Sequence, residues 1–127
     1  MTHELVERWH ATFRHSAGRL GSRYLSELRD NGKILGWRTG TPPRVLVPPK
    51  DLGTDGEFFE VGPGGSLLAF APNEWLSTPI EDGVLGLVAL DGADTPLFAR
   101  VHAAAPATGM RLIARFGGAT DLWFEPA

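Results

Sequence analysis

Residues able to do chemistry are few and scattered along this chain. Of its four histidines, His3, His10 and His15 lie within the first fifteen residues. His3, Glu7 and His10 recur at one-turn spacing, so a helix there would bring them to one face as a possible metal trio. The same spacing also describes a solvated helix face. Ser16, Ser22, Ser26, Ser66 and Ser77 have no G-x-S-x-G setting. With no cysteine in the chain, the remaining nucleophiles are hydroxyls that need a positioned base. His102, two residues after Arg100, is placed to act as that base or to cap the edge of a strand. Glu81 and Asp82, and Asp91 with Asp94, fall in predicted hairpin loops, where carboxylates form turns and meet solvent. Gly62-Pro63-Gly64-Gly65-Ser66 lacks the lysine and helix of a phosphate loop and reads as a turn into a strand. No catalytic constellation emerges, and the chain is expected to be non-catalytic.

The elements that must position these residues follow from composition and periodicity. At 127 residues and 13.7 kDa the chain has room for one domain with a helical appendage. Apolar residues make up 43% and charged residues 21%, ordinary for a globular protein. Gly 16 and Pro 10 are spread throughout, predicting many short turns and a strand-rich body. Without cysteine there is neither a disulfide framework nor a thiolate metal site. A formal charge of −3 and a pI near 5.7 argue against a nucleic-acid module, which needs a basic excess. No signal peptide or membrane-length apolar run is present, so a cytoplasmic protein with no membrane contact is expected.

Leu5, Val6, Trp9 and Phe13 recur at helical spacing from His3 to His15. After SAGRLGS a second helix is predicted from Ser22 to Asn31, with Tyr24, Leu25 and Leu28 on one stripe and Gly32 as its C-cap. A helical hairpin over 1–33 results. Its aromatic residues Trp9, Phe13 and Tyr24 suit either the core or a protein interface. Five short segments follow the Gly62–Gly65 turn: Ser66 to Ala71, Val84 to Leu90, Leu97 to His102, Met110 to Phe116 and Leu122 to Glu125. Five such strands suit an OB-fold barrel over 62–127. In the fourth, Met110, Leu112, Ala114 and Phe116 alternate with Arg111, Ile113 and Arg115, predicting one core face and one mostly cationic face.

Between these parts, GWRTGTPPRVLVPPKDLGTDGEF at 36–58 has the frame of a zinc ribbon, G-x-R-C-x-x-C-G-R-V-x-V-P-P-R-x-x-C-x-x-C. With SRYLSELRDNGKILGWR before it and GPGGSLLAFA, DTPLFARVH and TGMRLIARF after it, the chain resembles small acyl-CoA-associated proteins. These combine an N-terminal helical segment, a rubredoxin-like zinc ribbon and an OB-fold, and are long catalogued as a domain of unknown function. The resemblance runs from about Gly18 to the C-terminus. It implies a mainly β fold with N-terminal helices, a ribbon over 34–61 and a five-stranded OB barrel. The four zinc-ligand positions fall on Thr39, Pro42, Gly53 and Gly56, none of which can hold zinc. The ribbon is therefore expected to be metal-free and held by packing of Trp37, Val45, Val47, Phe58 and Phe59.

The resemblance also implies a role. Such proteins accompany thiolase-superfamily enzymes, including sterol-carrier-type thiolases that act as retro-aldolases on steroid side-chain CoA thioesters, and help form or cover the CoA channel. The lead-in at 13–38 is similar to the version of the domain fused behind an enoyl-CoA hydratase. The expectation is a non-catalytic accessory subunit of a thiolase-fold aldolase, thiolase or acyltransferase, in a hetero-oligomer with two copies of each chain. No covalent cofactor and no zinc are expected, and the CoA thioester would be the complex's substrate. Trp9, Phe13, Tyr24 and Trp37 are the expected partner contacts. Arg38, Arg44, Lys50, Arg100, Arg111 and Arg115 are candidates for the CoA phosphates, given the bidentate geometry arginine offers. Two other readings remain: a stand-alone acyl-CoA or small-ligand carrier, and a single-strand binder stacking bases on Trp37, Trp75 and Trp123, which the acidic charge disfavours.

Overall fold

The computed structural model describes residues 18–53, 55–72, 76, 80–81, 83–117 and 121–127. Helix α1, Arg19–Asn31, starts three residues before the predicted boundary. Leu20, Tyr24, Leu25 and Leu28, spaced three to four apart, form its buried stripe. Gly32 ends it in the left-handed conformation at φ 60°, donating its N–H to Glu27 O, a geometry for which glycine carries no Cβ penalty. The first predicted helix, and with it the hairpin, the His3–Glu7–His10 trio, Trp9, Phe13 and Trp75, lie outside the described residues.

Residues 34–61 form a three-stranded antiparallel sheet in the order β2-β1-β3, with β1 at Ile34–Thr39, β2 at Arg44–Leu46 and β3 at Gly56–Val61. Register places Ile34 beside Val61, Trp37 beside Leu46 and Phe58, and Thr39 beside Arg44 and Gly56. One face carries the buried Ile34, Val45 and Val61. On the other, Leu35 is buried and Trp37 meets Phe58 edge-to-face at 5.1 Å between ring centroids. Val45 and Val47 are buried and Phe58 packs against the core, whereas Phe59, expected to pack with them, is 39% exposed.

The segments aligned with the zinc knuckles carry hydrogen bonds of their own. The buried Thr39 hydroxyl donates to Asp55 O at 2.7 Å, tying the end of β1 to the turn before β3. Gly53 takes a positive φ of 78° and donates its N–H to Asp51 Oδ1 at 2.8 Å, an aspartate turn that needs no further support. Gly56 is a close approach: a Cβ there would lie 2.6 Å from Arg38 O and 2.7 Å from the Trp37 indole. These residues do not fit zinc. A ligating side chain has no room at Gly56, and the Thr39 hydroxyl is already a donor. No group of three or more His, Asp or Glu among the described residues could hold a metal ion.

The remaining strands are β4 (Gly64–Ala71), β5 (Val84–Leu90), β6 (Leu97–Val101), β7 (Arg111–Phe116) and β8 (Leu122–Pro126). They close into a barrel in the order β4-β5-β6-β8-β7. β6 and β8 pair in parallel and the other neighbours are antiparallel, which is OB-type topology. Inward positions alternate along each strand, and Leu67, Val88, Val101, Leu112 and Phe124 are fully buried inside. None of the described helices is long and apolar enough to cross a membrane.

The turn after β5 joins barrel to sheet. Val45 N–H donates to Asp94 Oδ2 at 2.7 Å, Asp94 N–H donates to Val45 O at 2.8 Å, and Val47 N–H donates to Thr95 Oγ1 at 2.8 Å. Asp94 and Thr95 thus cover the free edge of β2, satisfying backbone groups that would otherwise lie open at a sheet edge. A solvated loop tip was the expectation for Asp94. The tertiary approach of β2, 49 residues away in sequence, gives it a structural role instead.

Candidate partner-docking face

The outside of the barrel divides into two surfaces of opposite chemistry, because outward positions alternate with core positions on every strand. On β7 and β8 the outward residues are Arg111, Ile113, Arg115, Trp123 and Glu125, as the alternation predicts. Each arginine on this side of the barrel has a carboxylate partner. Arg111 holds Asp91 through two bonds of 3.0 and 2.5 Å and also donates to Ser66 Oγ. Arg115 lies 3.7 Å from Glu125, and Arg100 pairs with Asp121. Hydrogen bonding from Arg111 holds the Asp91 carboxyl below the usual carboxylate range and raises the guanidinium above its own. Trp123 Nε1 donates to Glu125 Oε2 at 2.8 Å, so its indole edge is committed to this network.

The other surface, on β4, β5 and β6, is apolar. Ala69, Leu87 and Phe98 lie side by side across three strands, with Ala71 and Leu85 in the next row. The β-bulge between Leu67 and Ala69 turns Leu68 outward as well. Phe98 is 63% exposed and Leu68 45% exposed. The one charged residue in these rows, Arg100, is neutralised by Asp121. A closed barrel has no free strand edge here, so the surface can take a partner only face on. It lacks the cations that a phosphate backbone would require.

The residues singled out by sequence are dispersed. Tyr24 is 2% exposed within the core cluster, and burial pushes its phenol above its ordinary range. Trp37 is half-buried against Phe58, and its Nε1 is buried without a hydrogen-bond partner. Of the six candidate phosphate contacts, Arg38 pairs with Glu57 at 3.7 Å and Arg100, Arg111 and Arg115 are paired as above. Arg44 and Lys50, either side of Val45–Pro49, are in no ion pair among the described residues. His102 Nε2 is buried without a hydrogen-bond partner among the described residues, and the ring sits tilted 6.1 Å from Trp123.

Phe98 and Leu68 escaped the sequence reading. Phe98 sits in TPLFARV, where Leu97, Ala99 and Val101 are the inward set, so alternation places Phe98 outside. That signal was legible. The bulge that exposes Leu68 was not, since no glycine or proline marks it.

A helix-led three-stranded sheet carrying an OB-type barrel is the architecture these elements define. The structure is similar to that of a protein of unknown function from the DUF35 family of Sulfolobus solfataricus, with a TM-score of 0.74 at 12% identity, covering 98% of this chain and 94% of that one. It is also similar to a chain of the Ltp2-ChsH2(DUF35) aldolase, with a TM-score of 0.66 at 17% identity, covering 86% of this chain and 95% of that one. No family model and no curated protein matches the chain. The resemblance drawn from the sequence is therefore met at the level of the fold, which is that of DUF35 proteins.

Proposed function

We propose that this chain is a DUF35-type accessory subunit, non-catalytic itself, that docks on a thiolase-fold aldolase acting on an acyl-CoA and helps form or cover its CoA channel. The observation that carries the reading is the uncharged face of β4, β5 and β6, with Phe98 and Leu68 exposed on it. Exposed apolar patches of this kind mark protein contacts, and aromatic residues are enriched at the centres of interfaces. The face's one arginine is already neutralised, so it complements an equally uncharged apolar surface on the enzyme. The likeness to the Ltp2-ChsH2(DUF35) aldolase chain supports the choice of partner class.

Within this reading residues 1–33 are a helical lead, 34–61 a zinc-free ribbon and 62–127 the barrel. Trp9, Phe13 and Trp37 extend the contact, and the enzyme supplies the reacting groups. Arg44 and Lys50, in no ion pair among the described residues, are the cations best placed to meet CoA phosphates. A steroid side-chain CoA thioester is the substrate class, and an enoyl-CoA hydratase a further member of the assembly.

Co-expression with a thiolase-fold aldolase, followed by size exclusion with light scattering, tests the proposal. A stable hetero-oligomer with two copies of each chain is expected. A chain that stays monomeric beside the enzyme, yet binds acyl-CoA alone, would replace the subunit reading with a stand-alone carrier.

A further inference from the structure

A groove of about 500 Å³ runs between the end of α1, the start of β1 and the outer side of β7, within the size range of small-molecule sites. Pro63, Ile113 and Phe116 supply its accessible apolar surface, with the buried Ile34, Val61 and Ala114 behind them. Lys33, Arg115 and Glu60 carry charge along it. Lys33 is in no ion pair among the described residues. Arg115 has only its exposed 3.7 Å contact with Glu125. The groove also holds a free piece of strand edge. β7 pairs with β4 as far as Ile113, and Ala114 N–H then donates to Pro63 O. Phe116, next on that edge, has no strand opposite it on the groove side. Backbone alternation therefore turns its N–H and C=O into the groove.

A Lys33 in no ion pair among the described residues, an Arg115 whose contact with Glu125 is solvent-exposed, an edge peptide N–H and an apolar lining select a ligand with a negative head and a hydrocarbon body. We propose that this groove binds a small amphipathic carboxylate, with its alkyl chain along Pro63, Ile113 and Phe116 and its head held by Lys33 and Arg115. The site lies away from the β4–β5–β6 face and does not depend on the docking reading. Binding energy here comes from removing alkyl surface from water and from charge-assisted hydrogen bonds to the head.

Octanoate titrated into the isolated, isotope-labelled chain tests this, read by amide chemical shifts, with octan-1-ol as the uncharged control. Saturable shifts are expected at Lys33, Ile34, Val61, Ala114 and Phe116, with octanoate binding more tightly than octanol. Lys33→Gln and Arg115→Gln should each weaken octanoate roughly tenfold, the scale of one charge-assisted hydrogen bond, without changing octanol binding. Glu60→Gln should strengthen octanoate several-fold by removing a like charge, an effect that loss of fold cannot mimic. The spectrum of each variant reports its fold in the same experiment. Equal affinity for octanol and octanoate, shifts that do not saturate, or indifference to all three substitutions would overturn the proposal. Phe98→Thr should leave octanoate binding unchanged, so failure of the docking reading and failure of this one are separable.

Discussion

Phe98→Thr separates surface from core by a margin that follows from the structure. A phenylalanine side chain offers on the order of 200 Å², and 63% exposure at Phe98 leaves about 125 Å² facing outward. Threonine keeps the β-branching that suits a strand and one methyl, so about 100 Å² of apolar contact is lost. At roughly 25 cal/mol per Å² that is about 2.5 kcal/mol, or close to a seventyfold weaker complex, since about 1.4 kcal/mol is tenfold in affinity. The folded monomer should change by no more than about 0.5 kcal/mol, as for other surface substitutions. Titration of the enzyme partner by interferometry, beside a urea melt of the isolated chain, measures both quantities. Partner affinity within threefold of the parent would refute the docking face. A loss of monomer stability above about 1 kcal/mol would refute the exposure from which the estimate is built.

Three further predictions concern what holds the sheet. Thr39→Val keeps side-chain volume but leaves Asp55 O without its 2.7 Å donor, and should cost about 1–3 kcal/mol in urea unfolding; parental stability would mean that the bond does not stand in for a metal link. Asp94→Ala combined with Thr95→Val removes the side-chain acceptors of Val45 N–H and Val47 N–H and should speed hydrogen exchange at those two amides ahead of the barrel core, whereas unchanged exchange would show that β2 needs no cover. Tyr24 is the only tyrosine, so absorbance at 295 nm reports it alone. Its folded-state pKa is raised by burial, so this group's contribution to stability is full below about pH 10, the unfolded value, and falls as pH rises past it. Phenolate should therefore appear together with alkaline unfolding, and a phenol that titrates near 10 in a still folded chain would contradict its burial.

The local rules proved legible where they act over a few residues. Alternation in RLIARF identified Leu112 and Ala114 as core and Arg111 and Arg115 as surface. The Tyr24, Leu25 and Leu28 stripe with Gly32 behind it marked the helix end. The absence of cysteine at the knuckle positions excluded a thiolate site, but the Thr39 bond to Asp55 O and the packing of Trp37 over Gly56 had no sequence signal. The candidate site was less legible. Six cations were singled out by type, yet four of them have carboxylates beside them that lie from 10 to 21 residues away in sequence.

The sequence by itself determined the helix that ends at Gly32, the five barrel strands, the absence of any thiolate site and which side of β7 is apolar, because side-chain alternation and backbone preference are properties of neighbouring residues. Only the tertiary structure decided which charges are neutralised, that the turn at Asp94 and Thr95 covers the edge of β2, and that Ala69, Leu87 and Phe98 align into one face. Those outcomes depend on strand register and barrel closure, which bring together residues tens of positions apart and are set by packing of the whole core.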